Sequence, residues 1–395
     1  MLTRLQAGAA ASALMLACLL AVSSYTCDGS RMLQQPPGDG QGPSDTYTAS
    51  DGTRFGVQTV ASNLEVPWAI AFAPDGRMFV TERPGRVRIV ENGQLVSEPA
   101  LVLDDVFAQG EAGLLGLTLH PDFGATRLVY LVYTARDGGR IANRVVRYRE
   151  AGGRLGEQVV LLDGLDAASI HDGARIKFGP DGLLYVTMGD AASPSVAQDL
   201  ASLNGKVLRL DPDGTTPRDN PFSSPVFSYG HRNPQGIDWD PATGLLWETE
   251  HGQTANDEVN LIVAGGNYGW PLIQADETAP GMIAPVIHFP GRSVAPSGAA
   301  FYRGTRIPAF TGNLFFATLS GRHLHRAVLQ SGRRRIASHE RLMEDRYGRL
   351  REVVSGPDGY LYFTTSNRDG RGAPAPEDDR IFRIVPAQQG RRNED

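Results

Sequence analysis

Four short polar segments carry the side chains best suited to chemistry. Ile170-His171-Asp172-Gly173-Ala174-Arg175 sets a histidine in a loop that runs directly into an apolar strand. Imidazole titrates closest to neutral pH, so His171 is a candidate general base. Tyr229-Gly230-His231-Arg232-Asn233-Pro234-Gln235-Gly236 also leads into a strand. Arg232 offers a planar fork to an anionic oxygen, and Asn233 both donates and accepts. The third segment is Glu248-Thr249-Glu250-His251-Gly252-Gln253, continuing to Asn256-Asp257-Glu258 and Asn267-Tyr268-Gly269-Trp270-Pro271. Carboxylates mixed with Gly and Asn in an irregular loop suit Ca²⁺, although the spacing is not that of an EF-hand. In Arg349-Leu350-Arg351, alternation puts both guanidinium groups on one side of an extended chain, where they could hold an anion. Each segment also has a plainer reading: a loop histidine bonded to backbone, a turn with a solvated arginine, acidic loops in water, and a chance pair. Spacing alone leaves both readings open.

The elements that must position these segments recur along the chain. An apolar strand leads to a Pro/Asp/Gly turn, and a second strand rich in aromatic and β-branched residues follows. The copies with the plainest turns are Ala69–Phe72 with Met78–Thr81, Ile176–Phe178 with Leu184–Met188, and Glu352–Ser355 with Leu361–Thr365. Leu115–Leu119 with Val129–Tyr133, Gly236–Trp239 with Leu245–Thr249, and Gly298–Tyr302 with Leu314–Thr318 complete the set. Asp-Gly turns between apolar runs are a strong hairpin signal. Further β-rich runs follow, among them Arg86–Val90, Glu258–Ile262 and Arg380–Val385. Six copies between Val66 and Val385 give a mean period of about 53 residues, the scale of propeller blades. The expected fold is all-β: a six-bladed β-propeller of four-stranded antiparallel blades. Segments one, two and four each precede a first strand and the third follows a second strand, so all could meet at one tunnel mouth.

Composition narrows the function classes. The chain has 395 residues, 41% hydrophobic and 21% charged, with 46 Gly and 26 Pro, too apolar for disorder and rich in turn formers. A net charge of -6 gives no electrostatic support for nucleic-acid binding. The only two cysteines, Cys18 and Cys27, stand near the N-terminus, which leaves the body without a thiolate site. Arg4 followed by an uncharged, Ala/Leu-rich run from Leu5 to Thr26 reads as a secretory signal over residues 1–26. Export to the periplasm or medium is expected, with a lipid anchor at Cys27 as a further option. Residues 27–50 read as a flexible linker, 51–387 as the propeller, and 388–395 as a polar tail.

Taken together, the motifs resemble the soluble, pyrroloquinoline-quinone (PQQ)-dependent aldose sugar dehydrogenases, relatives of the soluble glucose dehydrogenase. The resemblance rests on Gly113-Leu114-Leu115-Gly116, His120-Pro121-Asp122-Phe123, His171 through Arg175 and Gly230 through Gly236. It extends over Glu250-His251-Gly252, Asp257-Glu258-Val259-Asn260, Asn267 through Pro271, Ala295-Pro296-Ser297-Gly298 and Gly348 through Arg351. It implies a calcium-assisted quinone oxidoreductase that oxidises an aldose at C1 to the lactone and passes electrons to a periplasmic acceptor. His171 matches the base, with hydride passing to C5 of PQQ. Arg232 and Asn233 match residues at the reactive edge of the quinone, and Arg349 and Arg351 an arginine pair facing it. The carbonyls of Gly252 and Gln253 match those holding the cofactor's calcium, Glu258 and the Tyr268 carbonyl a second calcium site, and Gln198 a cofactor-pocket glutamine.

The chain departs from the family pattern in three places. Glu111 stands where many relatives have Gln, and a carboxylate beside a tricarboxylate quinone costs electrostatic energy. Ser320 stands where the glucose enzyme has a cofactor Lys, with Arg322 two residues on as a substitute charge. Gln253 replaces a common Pro. The competing functions are a calcium-dependent lactonase or esterase with a His-activated water, and a propeller that binds sugar or protein without catalysis. Monomer and homodimer both remain open.

Overall fold

Three turns explain why the repeats fold as hairpins. In Ala73-Pro74-Asp75-Gly76 the Gly76 N–H donates to the Ala73 carbonyl at 3.0 Å, and the Ala73 N–H donates to the Arg77 carbonyl at 2.8 Å. The Asp75 carboxylate caps the turn by accepting the Arg77 N–H at 3.1 Å. The same pattern recurs around Asp181 and Asp358. Gly76, Gly182 and Gly359 close these turns at φ of 90°, 76° and 82°, a region that disfavours any residue with a Cβ.

The computed structural model describes residues 45–387. Its strands form six antiparallel sheets; in five the earliest strand is innermost, and in the sixth, completed by N-terminal strands, Leu350–Ser355 is innermost. Blade 1 is Pro67–Phe72, Met78–Glu82 and Arg86–Glu91, whose outer edge pairs with both Gln94–Leu95 and Leu101–Val102. Blade 2 is Leu114–Leu119, Leu128–Asp137, Arg140–Ala151 and Arg154–Asp166. Blade 3 is Gly173–Phe178, Leu184–Met188, Lys206–Leu210 and Val226–Tyr229; blade 4 is Pro234–Trp239, Leu246–Glu250, Asp257–Ile262 and Ile287–Phe289. Blade 5 is Pro296–Phe301, Leu314–Thr318, Leu324–Leu329 and Ile336–Leu342. Blade 6 is Leu350–Ser355, Leu361–Thr365 and Ile381–Pro386, and Arg54–Ala61 supplies its fourth strand from the N-terminal side. Neighbouring first strands touch in sequence from blade 1 round to blade 6 and back. The fold is the expected six-bladed propeller.

One boundary differs from the composition reading. Asp45–Thr48 pairs with Arg54–Ala61 as a fifth strand of blade 6, and Tyr47 stacks on Phe55 at 5.6 Å. The propeller therefore begins at or before residue 45, inside the span that composition assigned to the linker. The signal-like run, Cys27 and the polar tail from 388 lie outside the described residues.

Every first strand starts with a β-bulge, as at Gly173/Ile176 and Leu350/Val353. A bulge frees backbone groups that need partners. Threonines of the second strands supply them. Thr187 Oγ1 accepts the Arg175 N–H at 3.0 Å and donates to the Pro234 carbonyl of blade 4 at 2.7 Å. Thr81 links blades 1 and 2 in the same way, and Thr364 links blades 6 and 1. The core lies between blades, and the second strands of blades 1, 3, 4, 5 and 6 are buried along their whole length. Across the axis Arg175 of blade 3 pairs with Glu352 of blade 6, and its guanidinium sits 4.1 Å over the Trp68 ring.

Candidate active site

Antiparallel register decides which loop residues meet. Gly173 lies opposite Met188, so two residues further out His171 comes opposite Asp190. Pro234 opposite Glu250 brings Asn233 to His251, and Leu350 opposite Thr365 brings Arg349 to Ser366. These positions form one row around one end of the propeller.

His171 is held at four points. Its Nδ1 lies 2.7 Å from Asp190 Oδ1, its N–H donates to Glu111 Oε2 at 3.0 Å, and its carbonyl accepts from Ala191 N at 3.2 Å. The fourth is steric. A Cβ on Gly189 would lie 1.9 Å from the His171 carbonyl oxygen, so glycine there lets the loop close on the strand end. These restraints hold a non-glycine residue at φ of 64°, a costly conformation that persists where surroundings over-determine it. Asp190 is buried, and its Oδ2 accepts the Trp270 Nε1–H at 2.9 Å. A carboxylate facing Nδ1 makes that nitrogen the donor and leaves Nε2 with the lone pair, the arrangement of an oriented general base.

Glu111 ties this dyad to the next blade. Its Oε2 accepts from Asn233 Nδ2 at 3.1 Å as well as from His171 N, and its Oε1 accepts from Arg371 at 3.1 Å. Burial alone would raise its pKa, but charge on His251, the His171 amide and Arg371 outweigh burial and bring it down to about 2. Asn233 Nδ2 also lies 3.3 Å from His251 Nδ1, while Arg232 donates to the His251 carbonyl at 3.1 Å and stands over the Trp270 ring. From blade 6, Arg349 Nε donates to Asp369 at 2.8 Å, and Arg351 approaches the same carboxylate oxygen at 3.5 Å. Burial lowers the Arg351 pKa to about 9, with Arg349 and Arg83 adding to it against Asp369. The Nε atoms of Arg83 and Arg232 are buried without a hydrogen-bond partner. Arginines clustered with unused buried donors are a receptor for a polyanion.

The acidic segment forms a second centre behind Arg232. Gly252, Gln253, Glu258 and Tyr268 line one small cavity with Arg232, Glu250 and Trp270. His231, Glu248 and Glu250 bring ligand atoms within 4.8 Å of one another. Glu248 Oε1 and Asn260 Oδ1 are buried acceptors without a donor. Burial and Glu250 raise the pKa of Glu248 and push Glu258 up to about 8. Asn260 and the Ala275 amide are their partners, with no lysine or arginine bridge among the described residues. Unpaired buried oxygens in this number suit a hard cation.

The family model for Glucose / Sorbosone dehydrogenase matches residues 64–374, nearly the whole propeller. The chain belongs to that family. It is 33% identical to the aldose sugar dehydrogenase YliI of Escherichia coli over 343 residues, covering 80% of this chain and 91% of the relative. It is 34% identical to quinoprotein glucose dehydrogenase B of Acinetobacter calcoaceticus over 264 residues, 58% of this chain and 54% of that one. The PQQ-bound aldose sugar dehydrogenase of Streptomyces coelicolor superimposes with a TM-score of 0.75 at 36% identity, covering 84% of this chain and 98% of the other.

Within this family member, most of the residues singled out by sequence converge. His171, Glu111, Asn233 and Arg232 form one connected network through His251; Arg351 acts electrostatically on it, and Arg349 on Arg351. Two of the residues take partners outside this network. Gln198 spends both ends of its amide on Asn267 and the Trp270 carbonyl, so it braces the tryptophan loop. Arg322 pairs with Asp345 at 2.8 Å on an exposed edge, and Ser320 donates to the Ser293 carbonyl. Asp190, Asp369, Arg371 and Arg83 were not singled out by sequence, and His251 entered only as part of the third segment. Asp190 had a usable signal: it stands just beyond the second strand of the hairpin that His171 precedes.

Proposed function

We propose that this chain oxidises aldose sugars at C1 to the lactone, with PQQ as the hydride acceptor and calcium as its counter-ion. The observation that carries the reading is the His171–Asp190 dyad beside an arginine cluster with unused buried donors. Family membership and quinoprotein relatives support it. A tricarboxylate quinone fits Arg349, Arg351, Arg83 and Arg232 better than a lactonase substrate would, because lactone hydrolysis requires no large anion. When bound, PQQ supplies at C5 an electrophilic carbon that accepts the C1 hydride, its oxygens polarised by calcium.

The remaining work falls to this chain. Asp190 accepts the Nδ1–H of His171 and fixes the imidazole, so Nε2 takes the proton of the anomeric hydroxyl. The sugar thereby gives up the hydroxyl proton to His171 and the C1 hydrogen with two electrons as hydride, and leaves as lactone, while the imidazolium is stabilised by the Asp190 carboxylate. Arg232 and Asn233 would hold the reactive edge of the quinone, and Arg349 and Arg351 its carboxylates. The carbonyls of Gly252 and Gln253 would hold one calcium, and Glu258 with the Tyr268 carbonyl a second. An exported enzyme of this kind would pass its electrons to an acceptor in the periplasm.

Titration of the purified chain with PQQ in excess Ca²⁺, followed by glucose or other aldoses and a redox dye, tests the reading. The expected result is a saturable quinone spectrum that the sugar reduces, with dye turnover. Folded protein that binds no quinone in excess calcium would overturn it.

A further inference from the structure

Glu111 poses a problem that the rest of the site must solve. Its carboxylate lies among the groups assigned to a polyanionic cofactor, where its charge opposes ligand binding by simple repulsion. Yet its position is useful, because one oxygen takes both the His171 main-chain N–H and the Asn233 side-chain N–H. The partner with a permanent positive charge is Arg371. Its guanidinium donates to Glu111 Oε1 at 3.1 Å from the loop that follows the second strand of blade 6. Asn233 Nδ2 also faces His251 Nδ1 at 3.3 Å. Arg371 is hydrogen-bonded to Glu111, while Arg83 and Arg351 act on it through charge.

The Arg371 loop is itself anchored. The Arg371 N–H donates to Asp369 Oδ1 at 2.9 Å, and Asp369 Oδ2 accepts from Arg349. Asn367 fixes the start of the loop through the Asp379 carboxylate and the Tyr347 carbonyl. Arg371 is thereby connected at one end to the arginine pair and at the other to the base and Asn233.

We propose that Arg371 is a positioning residue whose charge neutralises Glu111, allowing a carboxylate to fasten His171 and Asn233 inside a pocket built for an anion. The assignment extends the quinone reading and uses the same pocket. It makes Glu111 and Arg371 a coupled pair: the arginine matters only while its partner is charged.

A double-mutant cycle tests this, with Arg371→Ala, Glu111→Gln and the double variant measured in two ways. The first readout is the denaturant midpoint of the protein without cofactor at pH 7. The second is PQQ affinity in Ca²⁺. Arg371→Ala is expected to lower the midpoint in the wild-type background and to weaken PQQ binding roughly five- to tenfold, a modest effect because Arg371 is half exposed. In the Glu111→Gln background the same substitution is expected to change either quantity less than twofold. Equal losses in both backgrounds would overturn the assignment, as would no loss in the wild-type background. Should the wild-type chain bind no PQQ, the proposed function falls, and the cofactor-free cycle still decides whether Arg371 and Glu111 are coupled.

Discussion

At the scale of single residues, the site depends on how firmly His171 is aimed. Its backbone is left-handed, its N–H and carbonyl are both engaged, and Asp190 fixes the ring. His171→Ala should therefore leave PQQ binding intact and lower kcat by about 10² to 10⁴-fold, the usual contribution of a general base. Asp190→Asn keeps the shape and removes the charge. It should lower kcat by up to about 10⁴-fold, as the same exchange does in a catalytic His–Asp pair, with KM for the sugar little changed. Steady-state kinetics on the two variants checks both, and a loss confined to KM would count against the dyad. His171, Arg232, Asn233, Arg349 and Arg351 were legible in sequence because each sits one to three residues from a strand start. Asp369 and Arg371 were not, because Asp369-Gly370-Arg371-Gly372 has the composition of a solvated turn. Only the folded loop brings Arg371 to a carboxylate 260 positions away.

At the scale of elements, the recurring strand–turn–strand phrase was readable because side-chain chemistry enforces it locally: in three of the six hairpins an aspartate caps the sharp turn and a glycine closes it. The first strands begin one to three residues earlier than apolar patterning suggests, since the bulge at each entry breaks the alternation. The closing strand was less legible. Arg54–Ala61 has no turn joining it to its partner, and Gln58 bonds Arg383 across 325 positions. Local pattern cannot carry such a pairing. The threonine links between blades yield a prediction at this scale. Thr187→Val keeps the shape but leaves the Arg175 N–H without its acceptor and the Pro234 carbonyl without its donor, both in buried surroundings. The expected loss is about 1–3 kcal/mol of unfolding free energy. Thr187→Ser should recover most of it, and denaturant titration of the three proteins would show whether it does. Pro234 follows Asn233 directly, so Thr187→Val should also weaken PQQ binding.

At the scale of the whole molecule, the calcium reading predicts that the acidic centre behind Arg232 should make stability depend on calcium and pH together. Burial and Glu250 raise the folded-state pKa of Glu258 to about 8, and Glu248 is shifted the same way. A carboxyl whose folded pKa exceeds its unfolded one holds a proton in the folded state that the unfolded chain has already released. Stability without metal should therefore fall as pH rises from about 4.5 towards 8. Calcium requires the ionised carboxylates, so its binding releases protons and tightens over the same interval. The stabilisation by Ca²⁺ is thus expected to be small at pH 5 and to grow by pH 8, reaching about 2.7 kcal/mol when free metal is a hundredfold above Kd. Thermal unfolding with and without a chelator at the two pH values measures the difference directly. A calcium effect of the same size at both would mean that the ion binds elsewhere, at groups already ionised at pH 5. A larger effect at pH 8, lost in Glu258→Gln, would locate the ion at the buried carboxylates and link their ionisation to the integrity of the loop that carries Gly252 and Gln253.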